Sequence, residues 1–227
     1  MKKLIIAAAL LMFSGVTVAY SGFPGSGDPS QVTQDAFEQY AENIGNMSLA
    51  IEGTGNGSFR TIPGESDPVW CFTDIPMYDR KSGLMVGYAE DCLAGVTVGA
   101  NGGVSVLPGY TYLRFFAPQG GTWDLVVSGN ISVIPTVVQT ETQYGAAVSH
   151  ITGSSKESTL IGNGVKGNLS TGLFKNARGQ GRISGMVNMA NFDPANVEGS
   201  TIDFSCYFNI VDLKLSSFAV RDAAETL

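Results

Sequence analysis

Few side chains in this sequence are suited to acid–base or nucleophilic chemistry. His150 is the only histidine, and histidine alone has an unshifted pKa near neutral pH. On a strand that lines a cavity, His150 would act as a general acid or base, which makes it a candidate catalytic residue. The alternative is a surface or hydrogen-bonded structural histidine. Ser149 beside it does not indicate a catalytic pair, because neighbours on a strand point to opposite faces.

An aromatic and cationic row follows from the alternation around residue 112. Tyr110, Tyr112 and Arg114 share one face of a predicted strand, since side chains on a strand repeat every second residue. Such a row can bind a planar or anionic ligand, so Tyr112 and Arg114 are candidate substrate-binding residues. A solvent-facing ladder of side chains between strands explains the same pattern equally well.

Two acidic pairs and one glycine-rich loop are weaker indications of a functional site. Glu90 with Asp91, and Asp74 with Asp79, are predicted to bracket turns, where carboxylates accept loop hydrogen bonds. Residues 162–167 match the spacing of a dinucleotide-binding loop, but no strand–helix unit surrounds them, so we expect a glycine-rich turn. The sequence therefore predicts no cofactor.

The three cysteines predict one disulfide and one unpaired thiol if the protein is in an oxidising compartment. Three pairings are open, and we favour Cys71 with Cys92 because they flank a compact hairpin-like segment. Cys206 lies on the apolar side of a strand and is interpreted as a small buried hydrophobe. A reactive Cys206 nucleophile is the alternative, although no nearby lysine or arginine would lower its pKa. We expect no metal, because one histidine and three cysteines would all be needed for a zinc site.

Charge and the first residues indicate the compartment. The formal net charge is −7, from 20 acidic and 13 basic residues, which argues against a nucleic-acid partner. Residues 1–19 combine a basic start, a short apolar run and a small-residue cleavage site, as is typical of a secretory signal peptide. No later run is long enough for a membrane helix, and a polar tail argues against an outer-membrane barrel. We expect a soluble, secreted or periplasmic protein without membrane insertion.

The remaining chain divides into a leader with a helix, a β domain and a tail. Residues 20–46 contain an N-terminal helix that begins at Pro29 after the capping Asp28 and stops at Gly45. Residues 47–215 form one all-β antiparallel domain, and residues 216–227 form a polar tail. The clearest strand is 202–210, in which Ile202, Phe204, Cys206, Phe208 and Ile210 share a face. Further strands are predicted at 47–53, 69–79, 84–94, 109–117, 123–134, 143–152, 159–165 and 180–192.

Two segments resemble the barrel family of plant dirigent proteins and allene oxide cyclases. Residues 72–79 (Phe-Thr-Asp-Ile-Pro-Met-Tyr-Asp) and 83–92 (Gly-Leu-Met-Val-Gly-Tyr-Ala-Glu-Asp-Cys) are similar to its paired strands. Residues 170–179 (Ser-Thr-Gly-Leu-Phe-Lys-Asn-Ala-Arg-Gly) are similar to the dirigent glycine-rich run. The resemblance implies an eight-stranded antiparallel barrel, often trimeric, with an apolar cavity for a small molecule.

The resemblance also assigns a role to Glu52, which falls where the family keeps an acidic residue on its first barrel strand. Thr54 departs from the asparagine of a cyclase, and Ser170 departs from the first glycine of the dirigent turn. Two functions follow as hypotheses. The first is a secreted barrel that binds an apolar small molecule and steers its cyclisation or coupling, as an isomerase would, with Glu52 or His150 moving protons. The second is a non-enzymatic secreted or envelope-associated scaffold that binds a protein partner. A dry pocket favours the first, and a filled interior with exposed apolar side chains favours the second.

Overall fold

The computed structural model describes residues 46–98, 104–117, 120–135, 148–155, 169–217 and 219. The predicted signal peptide, the N-terminal helix, the 159–165 strand and the glycine-rich loop lie outside the described residues, as does most of the predicted tail. Within the described part there is no helix of seven or more residues, and none long and apolar enough to cross a membrane. The domain is all-β, as predicted.

Nine strands make up the sheet. In chain order they are β1 Met47–Arg60, β2 Val69–Asp79, β3 Met85–Leu93, β4 Val96–Val98, β5 Val104–Phe116, β6 Thr122–Pro135, β7 Val148–Ser154, β8 Arg178–Asn188 and β9 Thr201–Lys214. Short 3₁₀ turns at Gly172–Phe174 and Val197–Gly199 complete the regular structure.

The sheet closes into an eight-stranded antiparallel barrel, which confirms the predicted architecture. The strands follow the order β3-β2-β1-β9-β8-β7-β6-β5, and pairing of β3 with β5 joins the two edges. Strand β4 pairs with β5 in the register that β3 already uses, so it continues β3 after a break. Closure leaves two ends. The first end holds the start of β1 and the end of β9, and the second end holds the end of β1 and the start of β9.

Burial along β9 shows which face of the strand is inside. Ile202, Phe204, Cys206, Phe208 and Ile210 are all buried, whereas the residues between them are exposed or half-buried. Apolar side chains from the other described strands meet them in one continuous core inside the barrel. Its most completely buried members include Leu49, Ile51, Phe72, Ile75, Met77, Val86, Leu113, Leu125 and Ile210. Burial of these side chains is the main stabilising contribution to the barrel.

Residues 169–177 close a gap beside β7. Strand β7 pairs with β6 only from Asn130 onward, so the earlier part of β6 lacks a neighbouring strand on that side. The chain there bonds to β6 instead: Thr171 N donates to Asp124 O at 2.8 Å, and the Ser170 hydroxyl accepts from Val126 N at 3.0 Å. Phe174 enters the core against Phe115, with ring centroids 5.0 Å apart. The segment with the dirigent-like motif thus seals the barrel wall.

Strand predictions agree with the structure to within one residue at 69–79, 84–94 and 123–134. The 69–79 strand has the predicted bounds, while β1 continues seven residues past the predicted end at residue 53. Glycines in β1 suggested a turn, yet they are places of close packing: a Cβ on Gly57 would lie 1.8 Å from Val197 O, and one on Gly55 2.9 Å from an Ile75 side-chain carbon. Conversely, the predicted strand 180–192 extends too far, since β8 ends at Asn188 and residues 189–192 are not in a strand.

The acidic turn predictions are partly wrong. Glu90 and Asp91 lie inside β3, and Asp74 lies inside β2 at a bulge with a positive φ of 62°. Asp79 does end its strand, and its carboxylate accepts hydrogen bonds from the Ser82 backbone and hydroxyl at 2.8 and 2.7 Å.

Candidate functional site

The outer face of β2, β3, β5 and β6 carries a second apolar cluster under the loop that contains Ile62. Its buried members are Ile62, Val69, Cys71, Cys92, Tyr110, Tyr112 and Val126. Cys71 and Cys92 form a disulfide across the directly paired positions of β2 and β3, as predicted. Cys206 is the free cysteine and is buried, which confirms its interpretation as a core residue.

Two arginines meet one carboxylate at the margin of this cluster. The Nη1 atom of Arg60 lies 2.6 Å from Glu90 Oε2, and the Nη2 atom of Arg114 lies 2.5 Å from the same oxygen. The Glu90 side chain is 4% exposed, whereas the guanidinium groups are about a third exposed. We call Arg60, Glu90 and Arg114 the outer triad, which packs on Tyr112. The triad has a net charge of +1, and its carboxylate is buried.

Tyr112 is the aromatic base of this arrangement. The Arg60 guanidinium carbon lies 3.9 Å from the Tyr112 ring centroid, a cation–π contact. Burial is the main cause that raises the pKa of Tyr112, and the neighbouring Arg60 opposes it. Tyr112 is only 2% exposed, so its ring is a packing surface for Arg60. The structure therefore brings the predicted pair Tyr112 and Arg114 together, with both arginines presenting their outer edges to solvent.

The other two predicted site residues lie elsewhere. Glu52 is exposed on the outer face of β1 beside buried Ile51, so its predicted position in the cavity is wrong. His150 is half-buried on the outer face of β7, with Nε2 3.4 Å from the Ser184 hydroxyl. The register Glu52–Ser205–Met186–His150 spans three strand spacings, or about 14 Å. The two side chains are thus too far apart to share a proton transfer.

Asp91 is the polar group that the barrel interior does contain. It is 4% exposed and accepts a hydrogen bond from the Thr111 hydroxyl at 3.0 Å. Burial, with a smaller contribution from the Glu90 charge, raises the pKa of Asp91 to about 7, although the Thr111 hydrogen bond opposes the rise. Burial also raises the pKa of the Cys206 thiol to about 12, and the Asp91 charge adds to this. Cys206 is therefore unsuited to be a nucleophile.

A cavity of about 20 Å³ lies beside Thr111, where β7 ends between β6 and β8. It is lined by Gly109, Gly129, Gly153, Gly181 and Phe208 among others. This volume holds about one water molecule, far below the roughly 300 Å³ at which small-molecule pockets begin. The described lining residues leave no room there for an apolar ligand.

Sequence reasoning missed Arg60 and placed Glu90 and Asp91 at a turn, because these residues come together only when β1 pairs with β2, β2 with β3 and β3 with β5. Their phase was visible: Glu90 shares a face with Tyr88, and Asp91 with Ala89. Cys71, Glu90 and Cys92 also approach one another as metal ligands would. The two sulfurs are joined in the disulfide, so they cannot act as the thiolate ligands of a metal.

Comparison of the chain with protein-family models, with curated proteins and with solved structures finds no match. The resemblance to dirigent proteins and allene oxide cyclases accordingly rests on its motifs and stays a prediction.

Proposed function

We propose that this protein is a secreted or periplasmic, non-catalytic barrel that binds a protein partner through its outer face. The observation that carries the proposal is the distribution of apolar side chains. The described strands pack their inward-facing apolar side chains into one continuous core, whereas other large apolar side chains remain on the surface. Those more than a third exposed are Phe59, Tyr88, Val96, Ile134 and Tyr207.

Several of the aromatic side chains form an outer band near the first end of the barrel. Tyr88 contacts Phe116 edge-on, with centroids 5.7 Å apart. Tyr78 and Tyr207 lie opposite Ala50 on its two sides, in β2 and β9. We call Tyr78, Tyr88, Phe116 and Tyr207 the aromatic band. Tyrosine is enriched in protein interfaces because it buries a large ring while its hydroxyl remains solvated.

The band is testable in the secreting host. A photo-crosslinking amino acid at Tyr88 should capture a protein partner, and the same group at Thr152, exposed on the outer face of β7, should not. N-terminal sequencing of the purified protein should begin at Tyr20 if residues 1–19 are removed. A crosslinking yield at residue 152 equal to that at residue 88 would contradict a partner site on the band.

A second function, binding and cyclisation of an apolar small molecule, is favoured by one observation. Asp91 places a carboxyl inside the apolar barrel next to Thr111 and the cavity, and such a group could hold or protonate a bound intermediate. Native mass spectrometry of the protein from its own host distinguishes the two functions. We expect the mass of the polypeptide alone; a stoichiometric apolar ligand that is lost in Asp91→Asn would favour the second function instead. The same spectrum tests the predicted trimer.

A further inference from the structure

Positive charge is concentrated at the first end of the barrel. The described lysines and arginines at or near that end are Arg80, Lys81, Lys175, Arg178, Arg182 and Lys214. Around the second end the described charges are mainly acidic and include Glu65, Asp67, Asp193, Glu198 and Asp203. The described acids at the same end are Asp79, Asp124 and Asp212. Basic residues outnumber acidic ones there, so the first end is a local cationic surface in a chain with a net charge of −7.

Two of these arginines flank an exposed member of the aromatic band. The Arg80 guanidinium carbon lies 4.1 Å from the Tyr207 ring centroid, and Tyr207 is 45% exposed. Arg182 pairs with Asn209, two residues along β9 from Tyr207, and Asn209 pairs with Ser48. The Ser48 hydroxyl lies 3.4 Å from Arg80 Nη1. We call Arg80, Tyr207 and Arg182 the Arg–Tyr–Arg patch.

Among the described residues, no carboxylate forms an ion pair with the arginines of this patch. Both ion pairs of the described residues involve Glu90, and neither Arg80 nor Arg182 is near enough to a described carboxylate to form another. Both arginines are exposed, and the Tyr207 ring holds Arg80 in place. Arginine and tyrosine are the residue types that dominate binding energy in protein interfaces.

We propose that the Arg–Tyr–Arg patch binds an acidic segment of a partner protein, with carboxylates on Arg80 and Arg182 and an apolar or aromatic side chain on Tyr207. The proposal rests on the proposed function, because it names the chemistry of the partner that the outer face binds. Charge complementarity favours an acidic segment, since a guanidinium binds a carboxylate through two parallel hydrogen bonds. The exposed ring favours a polypeptide over a simple polyanion.

The test uses the full mature chain and an acidic probe, the random copolymer of glutamate and tyrosine, with polyglutamate for comparison. We expect the copolymer to bind more tightly than polyglutamate, and binding to weaken with salt. Arg80→Glu with Arg182→Glu should lower the affinity at least tenfold. The control, Lys175→Glu with Lys214→Glu, makes the same change in net charge at the same end and should alter affinity by less than twofold. If charge reversal impairs folding, Arg80→Gln with Arg182→Gln replaces it as the test variant.

Several results would overturn the proposal. Equal losses in the two charge-reversed variants would mean that only long-range charge attracts the probe. Heparin, or vesicles of anionic phosphatidylglycerol, binding more tightly than the copolymer with the same dependence on Arg80 and Arg182 would indicate a polyanion or membrane ligand. A photo-crosslinker at Tyr207 that joins only residues 28–45 of its own chain, or only a second copy, would exclude a partner at the patch. Capture at Tyr88 with none at Tyr207 would leave the proposed function standing and remove this inference alone.

Discussion

Glu90 and Asp91 are neighbours in β3 and are both buried, but they have different partners. Glu90 points outward and meets two guanidinium groups at 2.5 and 2.6 Å. Asp91 points into the barrel, where a single hydroxyl, that of Thr111, reaches it among apolar side chains. The outer carboxylate is held by two ion pairs, whereas burial favours the neutral form of the inner one.

The contrast shows how strongly strand phase controls chemistry. One step along a strand turns a side chain through the wall of the barrel, so adjacent acids enter unrelated environments. The outer site is structural and electrostatic, and the inner site is a buried group that can bind a proton. Each prediction below changes one side of this comparison while the other stays intact.

The largest effect is expected for Asp91→Asn. Because burial raises the pKa of Asp91 from 3.8 to about 7, the folded state keeps a proton that the unfolded state loses above pH 3.8. The free energy of unfolding should therefore fall as pH rises from about 4 to 7, by at most about 4 kcal/mol, and then level off. The amide cannot ionise, so Asp91→Asn should lose this dependence and be the more stable protein at pH 8. Urea unfolding from pH 4 to 8, with Glu198→Gln as control, checks this; parallel profiles for Asp91→Asn and the parent would contradict it.

The disulfide should come next. It closes a loop with a sequence separation of 21, and cross-linking a loop of that size contributes about 3 kcal/mol by restricting the unfolded chain. Cys71→Ala with Cys92→Ala should lower the free energy of unfolding by about that amount. The disulfide lies on the outer face, where Cys92 Sγ is 3.4 Å from Glu90 Oε1. Since Asp91 lies on the inner face, the pH dependence of the free energy of unfolding that is assigned to Asp91 should persist. Loss of that dependence in the double variant would show that the two faces are coupled.

A smaller loss is expected when the outer carboxylate loses its partners. Arg60→Met with Arg114→Met leaves Glu90 buried without a counter-charge, which should cost roughly 2 kcal/mol, less than for a fully buried pair because the guanidinium groups are partly solvated. Adding Glu90→Leu should restore most of the loss, since an apolar replacement of the whole group removes the stranded charge. Thermal unfolding measures both steps. A triple variant no more stable than the double would show that packing, and not charge, causes the loss.

The smallest effects are expected at the exposed acid and the histidine. Glu52→Gln and His150→Gln change outer-face side chains some three strands apart, so each should alter the free energy of unfolding by less than about 0.5 kcal/mol. Neither substitution should change the number of subunits or the bound ligand that native mass spectrometry detects. A retained small molecule that disappears in Glu52→Gln would restore the predicted role of Glu52.

Whether a feature could be predicted from the sequence depends on how far apart in the chain the interacting residues are. The period-two alternation of 202–210 predicted β9 and the apolar set on one of its faces, and the spacing of Cys71 and Cys92 predicted the disulfide. Glycines in β1 were misleading, because Gly57 marks a close approach by Val197 from a distant turn and not the end of a strand. Arg60 was missed since its partner Glu90 is thirty residues away and is adjacent only after β2 and β3 pair.

The sequence by itself determined the all-β class, most of the strands, the disulfide and the buried state of Cys206, because each depends on local alternation or on short chain separation. Only the tertiary structure decided which face of each strand became the interior. A period of two divides the side chains of a strand into two faces without indicating which face is buried. Closure of the barrel by the pairing of β3 with β5 decided this, and it placed Glu90 among arginines, Asp91 in the core and Glu52 in solvent.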